Sequence, residues 1–179
     1  MKLLKGSKTE ANLIAAYAGE SQARNNYTFF AAKASQDGYE QISRIFTETA
    51  NNEKEHAEIW FKLLQSGMPD TCDNLKSAAE GEQYEHENMY PQFAKDAKEE
   101  GFEKIAALFE LVGKIEKEHM ERYRTLEQNI KEQKVFKRDP QTTWVCMNCG
   151  HTYIGSEPPK TCPVCGKPQG WSEIKADNY

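Results

Sequence analysis

Between residues 1 and 136 the apolar side chains recur three and four positions apart, the period of a helix with one covered face. Four such stripes can be drawn. The first opens at Ser7 with Glu10 three residues on, the pairing of a capping box, and runs through Leu13, Ala16, Ala23, Tyr27, Phe30 and Ala34 to a stop near Asp37-Gly38. The second carries Ile42, Phe46, Thr49, Trp60 and Leu63 and stops at Gly67-Met68-Pro69. After a connection around Asp70 to Asn74, the third carries Leu75, Ala78, Met89, Phe93 and Ala97 and stops at Gly101. The fourth runs Ile105, Phe109, Val112, Tyr123, Leu126 and Ile130. Four long helices with two short turns and one longer link predict an all-α four-helix bundle.

The bundle is an internal repeat. Asp37-Gly38-Tyr39-Glu40-Gln41-Ile42 through Trp60 matches Glu100-Gly101-Phe102-Glu103-Lys104-Ile105 through Tyr123 at an offset of 63 residues. Gly19-Glu20 matches Gly81-Glu82 at 62, whereas Phe30-Ala31 matches Phe93-Ala94 at 63. One residue has therefore entered the third helix between Glu82 and Phe93. An insertion inside a helix is commonly absorbed as a turn of π-helix, and Pro91 already weakens the hydrogen-bond ladder there, so a bulge or kink is expected within residues 83–92.

Polar residues interrupt each stripe. The fourth keeps its spacing only with Glu116 and His119 on the covered face, and the second only with Glu53 and His56. Glu20 interrupts the first stripe, and Glu82 and Glu85 the third. Unpaired buried charge costs several kcal/mol per ion, so such a core requires cations. One Glu from each of two helices and Glu-x-x-His from each of the other two is the ligand pattern of ferritin-like di-iron or di-manganese proteins. Residues at i and i+3 share a helix face, and carboxylates with some imidazole suit iron or manganese better than zinc.

Composition changes after residue 136. Residues 137–179 hold five of the seven prolines and four of the five cysteines, which predicts a bundle over 1–136, a linker near Lys134 to Asp139, and a separate domain over 137–179. Cys146-Met147-Asn148-Cys149-Gly150 and Cys162-Pro163-Val164-Cys165-Gly166 are two Cys-x-x-Cys-Gly knuckles, together one tetrahedral sulfur site for iron or zinc. Trp144, Tyr153 and Trp171 are the aromatic residues available for its small core.

A net charge of −5 gives nucleic-acid phosphate little to hold, and no apolar run approaches the roughly 20 residues of a membrane span. The start Met1-Lys2-Leu3-Leu4-Lys5-Gly6 lacks the apolar core of a secretion signal, so a cytosolic protein with cysteines as metal ligands is expected.

Over essentially the whole chain these motifs resemble the rubrerythrins: Gly19-Glu20, the two Glu-Lys-Glu-His tetrapeptides, Gly81-Glu82-Gln83-Tyr84-Glu85, Met89-Tyr90-Pro91 and both knuckles, with only 12 residues between Cys149 and Cys162. The resemblance implies a ferritin-like di-iron bundle followed by a rubredoxin-like domain with one iron held by Cys146, Cys149, Cys162 and Cys165. It implies reduction of hydrogen peroxide to water, with electrons from an external donor, such as a rubredoxin or an NAD(P)H-dependent reductase, entering at the tail iron. It also implies Glu53 and Glu116 as bridging ligands, Glu20 on the first iron, and Glu82 with His119 on the second. The first iron would exchange Glu85 when oxidised for His56 when reduced, with Tyr27 and Tyr90 hydrogen-bonding near the metals in a homodimer.

Two other readings share parts of this pattern. An iron-oxidising or iron-storing ferritin relative needs the bundle but not the thiolates, and a binding module needs only a zinc ribbon in the tail. Cys72 reads as a plain loop residue, His86 as a surface or internally satisfied histidine rather than a partner of Glu82, and His151 as exposed.

Overall fold

In a computed structural model, which describes residues 3–178, the helices form as the stripes require. Met1 and Lys2, where the expectation about a leader begins, lie outside the described residues. Compact packing divides the chain into two units, Met1–Pro69 and Asp70–Tyr179.

The first unit is a helical hairpin of α1, Lys8–Gln36, and α2, Glu40–Gln65. Ser7 caps α1 by accepting the Glu10 backbone N–H at 3.1 Å, and the Glu10 carboxylate accepts the Gly6 N–H at 2.5 Å. The turn between the helices needs a left-handed residue, supplied by Gly38 at φ 82°, and closes through Tyr39 N–H to the Ala34 carbonyl at 2.8 Å.

The second unit opens with α3, Thr71–Tyr84, a π-turn, Glu85–Met89, and α4, Tyr90–Glu99. Helix α5, Glu103–Lys131, returns along them. The π-turn lies inside the 83–92 window that the one-residue shift in the repeat requires. The turn of the first unit recurs, with Gly101 at φ 83° and Phe102 N–H bonded to the Ala97 carbonyl at 2.7 Å. One boundary differs from the expected one. The Asp70 side chain accepts the Asp73 N–H at 2.9 Å, so α3 begins at Thr71 and Cys72 belongs to its first turn rather than to a loop.

Within the helical hairpins the buried line is made of small residues: Ala31, Ala34, Ala50 and Ala57 in the first unit, and Ala79, Ala94, Ala97, Ala106 and Gly113 with Met120 in the second. Most repeat at the 63-residue offset. Phe30, Ile42 and Leu63, and their counterparts Phe93, Ile105 and Leu126, lie beside that line and stay exposed. Small side chains let two helices approach closely, which is why the alanines and not the larger residues mark the crossing.

The tail is a three-stranded antiparallel sheet of β1, Thr143–Cys146, β2, Thr152–Ile154, and β3, Ser172–Ile174, in the order β2-β1-β3. Trp144 is 1% exposed and its indole N–H donates to the Gly155 carbonyl at 2.9 Å. Tyr153 and Trp171, expected to share that core, are 44% and 42% exposed, and Trp171 instead lies under the Lys167 ammonium at 4.4 Å. Among the described residues no helix is long and apolar enough to cross a membrane.

Candidate metal centres

Six of the seven expected bundle ligands fall into two triads. In the first unit, ligand atoms of Glu20, Glu53 and His56 lie within 4.8 Å of one another, and in the second unit those of Glu82, Glu116 and His119 do so. The second triad repeats the first. His56 Nδ1 is 2.8 Å from Glu53 Oε2 and 3.8 Å from Glu20 Oε2, while His119 Nδ1 is 2.8 Å from Glu116 Oε2 and 3.8 Å from Glu82 Oε1. The i, i+3 spacing accounts for the short contact in each case, because both side chains leave one helix face a turn apart.

The triads are less enclosed than the stripes imply. Glu116 is the most covered, with 13% of its side chain exposed, whereas half of the His56 side chain is open. No lysine or arginine among the described residues pairs with Glu20, Glu53, Glu82 or Glu116; their ion-pair partners are the two histidines. Loss of water, then the Glu116 charge and a hydrogen bond to it, raises the Glu82 carboxyl above the ordinary range, and Glu85 adds to the effect. Carboxylates that repel one another without a cationic side chain between them are the donor chemistry a divalent or trivalent ion fits.

Glu85 belongs to neither triad, yet its charge acts on both Glu82 and Tyr90. The Tyr90 hydroxyl is raised first by loss of water and then by Glu85, Glu116 and Glu82, so it stands within the field of the second triad. Tyr27, its counterpart, packs against Phe30 and Phe46, as Tyr90 does against Phe93 and Phe109. His86 is half-buried and satisfied: its Nδ1–H donates to the Gly113 carbonyl at 2.7 Å, a contact nothing in the spacing signalled.

In the tail, the four sulfurs lie within 4.8 Å of one another, with Cys146 Sγ 3.7 Å from Cys165 Sγ and Cys149 Sγ 3.6 Å from Cys162 Sγ. A tetrahedron with metal–sulfur bonds of about 2.3 Å has edges of about 3.8 Å, so the thiols already stand at ligand spacing. Each knuckle turns through a left-handed glycine, Gly150 at φ 74° and Gly166 at φ 73°, whose N–H returns to the carbonyl of the first cysteine, Cys146 or Cys162. The Lys167 backbone N–H aimed at Cys165 holds that thiol down at about 6. At Cys149 the His151 N–H acts in the same direction, but loss of water and the other three cysteines outweigh it and push the thiol up to about 12. His151, expected to be exposed, is half-buried, and its carbonyl accepts the Cys146 N–H at 2.9 Å.

The family model Rubrerythrin matches residues 11–127, and the model Rubrerythrin, rubredoxin-like domain, matches residues 144–170. The chain belongs to the rubrerythrin family. Rubrerythrin-1 of Clostridium acetobutylicum is 47% identical with all of both chains covered, and the rubrerythrin of Porphyromonas gingivalis is 45% identical over 99% of this chain and 95% of that one. Among solved structures, the fully reduced, all-ferrous state of nigerythrin is 32% identical over 97% of this chain and 92% of that chain, with a TM-score of 0.37.

Membership makes this chain a rubrerythrin-type iron oxidoreductase with a ferritin-like helical domain and a rubredoxin-like tail. Its cofactors are those of a di-iron carboxylate centre and of a single iron in four cysteines, and both donor sets fit.

Proposed function

We propose that this rubrerythrin reduces hydrogen peroxide to two waters at a di-iron centre held by Glu20, Glu53, His56, Glu82, Glu85, Glu116 and His119. Cys146, Cys149, Cys162 and Cys165 would hold a single iron, which would supply one-electron relay chemistry between an external donor, a rubredoxin or an NAD(P)H-dependent reductase, and the bundle. On this reading residues 1–136 are the catalytic domain, residues 137–179 the relay, and the protein is a cytosolic homodimer. The observation that carries the proposal is the presence, on one chain, of two matching carboxylate–imidazole triads and a four-thiol centre.

When bound, a pair of ferrous ions supplies two electrons at once, so that peroxide is cleaved without release of a radical. The chain's residues supply the rest. Glu53 and Glu116, the more covered carboxylates of their triads, would serve as the shared ligands of the two irons, and the remaining carboxylates would balance the metal charge. Tyr27 and Tyr90 are assigned as hydrogen-bond donors beside the metals; at Tyr90, loss of water and then the charges of Glu85, Glu116 and Glu82 disfavour the phenolate. In the tail, the N–H groups of His151 and Lys167 stabilise thiolate charge, and exposed Cys149 offers an external donor a short path to the metal.

Cys146→Ser tests the division of labour. It should abolish steady-state peroxide turnover while the chemically reduced bundle still consumes a single equivalent of peroxide. Loss of the single turnover as well would show that the tail does more than relay electrons. A Cys146→Ser protein with full steady-state turnover would remove the relay altogether.

A further inference from the structure

Glu85 has no counterpart in the first half of the repeat, and neither does the packing around it. At the 62-residue offset His86 corresponds to Arg24, which is exposed and bonds its neighbour Asn25. At the 63-residue offset Gly113 corresponds to Ala50 and Tyr90 to Tyr27. A Cβ on Gly113 would stand 3.1 Å from Tyr90 Cβ, so at this crossing a side chain would fit only if α4 and α5 gave by a few tenths of an ångström. That close approach lets His86, in the first turn of the π-segment, reach a main-chain carbonyl of α5.

We propose that His86 is a positioning residue for Glu85, its Nδ1–H bond to the Gly113 carbonyl pinning the π-turn to α5 and fixing where the Glu85 carboxylate stands. The inference rests on Glu85 being a metal ligand, as proposed above. A π-turn is a poorly stabilised piece of helix, and its side chains move with its register. Ties to α5 flank Glu85 on both sides in sequence. Gln83 Oε1 accepts from Arg124 Nη2 at 2.6 Å in an exposed contact, and His86 bonds Gly113 at 2.7 Å in a half-buried one. The half-buried bond is the stronger restraint, because a surface pair competes with water. With a carbonyl as acceptor, Nδ1 must carry the hydrogen, so the ring tautomer is fixed and its role is that of a donor strut.

The test compares iron-loaded full-length His86→Ala, His86→Asn, Glu85→Ala and the Glu85→Ala/His86→Ala double variant by redox titration of the di-iron centre. An oxygen ligand favours ferric iron, so Glu85→Ala should raise the potential. His86→Ala should shift it the same way, lowering the ferric-over-ferrous preference about threefold to tenfold, the scale of one hydrogen bond. His86→Asn, whose amide nitrogen takes the place of Nδ1, should restore the original potential, and in the double variant the histidine should add nothing. On metal-free protein, His86→Ala should also speed amide exchange across residues 87–90 about tenfold while the start of α3 is unaffected. If Glu85→Ala moves the potential and His86→Ala does not, or if exchange in the π-turn is unchanged, the strut is wrong and the ligand assignment stands. If Glu85→Ala leaves the potential where it was, the ligand assignment fails and the proposal with it.

Discussion

A carboxylate is visible in a sequence when it stands where physics would put a leucine, and this is why Glu20, Glu53, Glu82 and Glu116 were legible without coordinates. Each interrupts an otherwise regular stripe, and the structure gathers each with a histidine, which for Glu53 and Glu116 is the partner in their own Glu-x-x-His. Glu85 was legible as a ligand candidate, but not the His86–Gly113 contact beside it, because side chain to main chain contacts across helices leave no periodic trace. Gly113 likewise reads as an ordinary helix residue until its distance from Tyr90 is known. Gly113→Ala makes this measurable. Alanine gains up to about 1 kcal/mol in helix propensity, but a Cβ at 3.1 Å from Tyr90 Cβ, an atom held by the backbone, must push α4 and α5 apart. The net expectation is a loss of about 1 kcal/mol in chemical denaturation, since overpacking outweighs propensity at a closed crossing. A more stable variant would mean that the crossing yields freely.

At the scale of the element, the π-turn was readable because the repeat supplies its own ruler: an offset that changes from 62 to 63 inside a helix leaves one residue to be absorbed. Deleting exposed Asn88 should turn Glu85–Met89 into ordinary α-helix. Each residue of α-helix contributes about 100° of rotation, so Glu82 and Glu85 would swing by that amount relative to Tyr90 and Phe93. Helical content by circular dichroism should be retained, while iron bound per chain falls as the second triad is misaligned. Unchanged iron content would show that the π-turn does not set the ligand geometry. The core of the hairpins was read less well. The stripes included Ala34 and Ala97, which are buried at the crossings, but also Phe30, Ile42, Phe93 and Ile105, which stay exposed, because periodicity identifies a face and not the line along it where two backbones come closest. In the tail the glycines and cysteines announced the knuckles, but three aromatic residues in a short segment did not reveal that only Trp144 is enclosed.

On the proposed reading, the question for the whole molecule is how an electron would pass from the tail centre to the bundle centre. His119 lies 12 positions before Lys131, the last residue of α5, a rise of about 18 Å before the tail begins. A relay that had to return over that length within its own chain would be slow, which favours a homodimer in which the tail of one protomer serves the bundle of its partner. The prediction is made on mixed dimers. A Cys146→Ser chain keeps a competent bundle but no relay, and a Glu53→Ala chain keeps a relay but lacks a bridging ligand. Each homodimer should be inactive in steady-state peroxide reduction, and refolding the two together should restore activity to the fraction that pairs as heterodimers. If the electron path runs within one chain, no heterodimer contains a complete path, and activity stays absent however well the mixed species forms by native mass spectrometry.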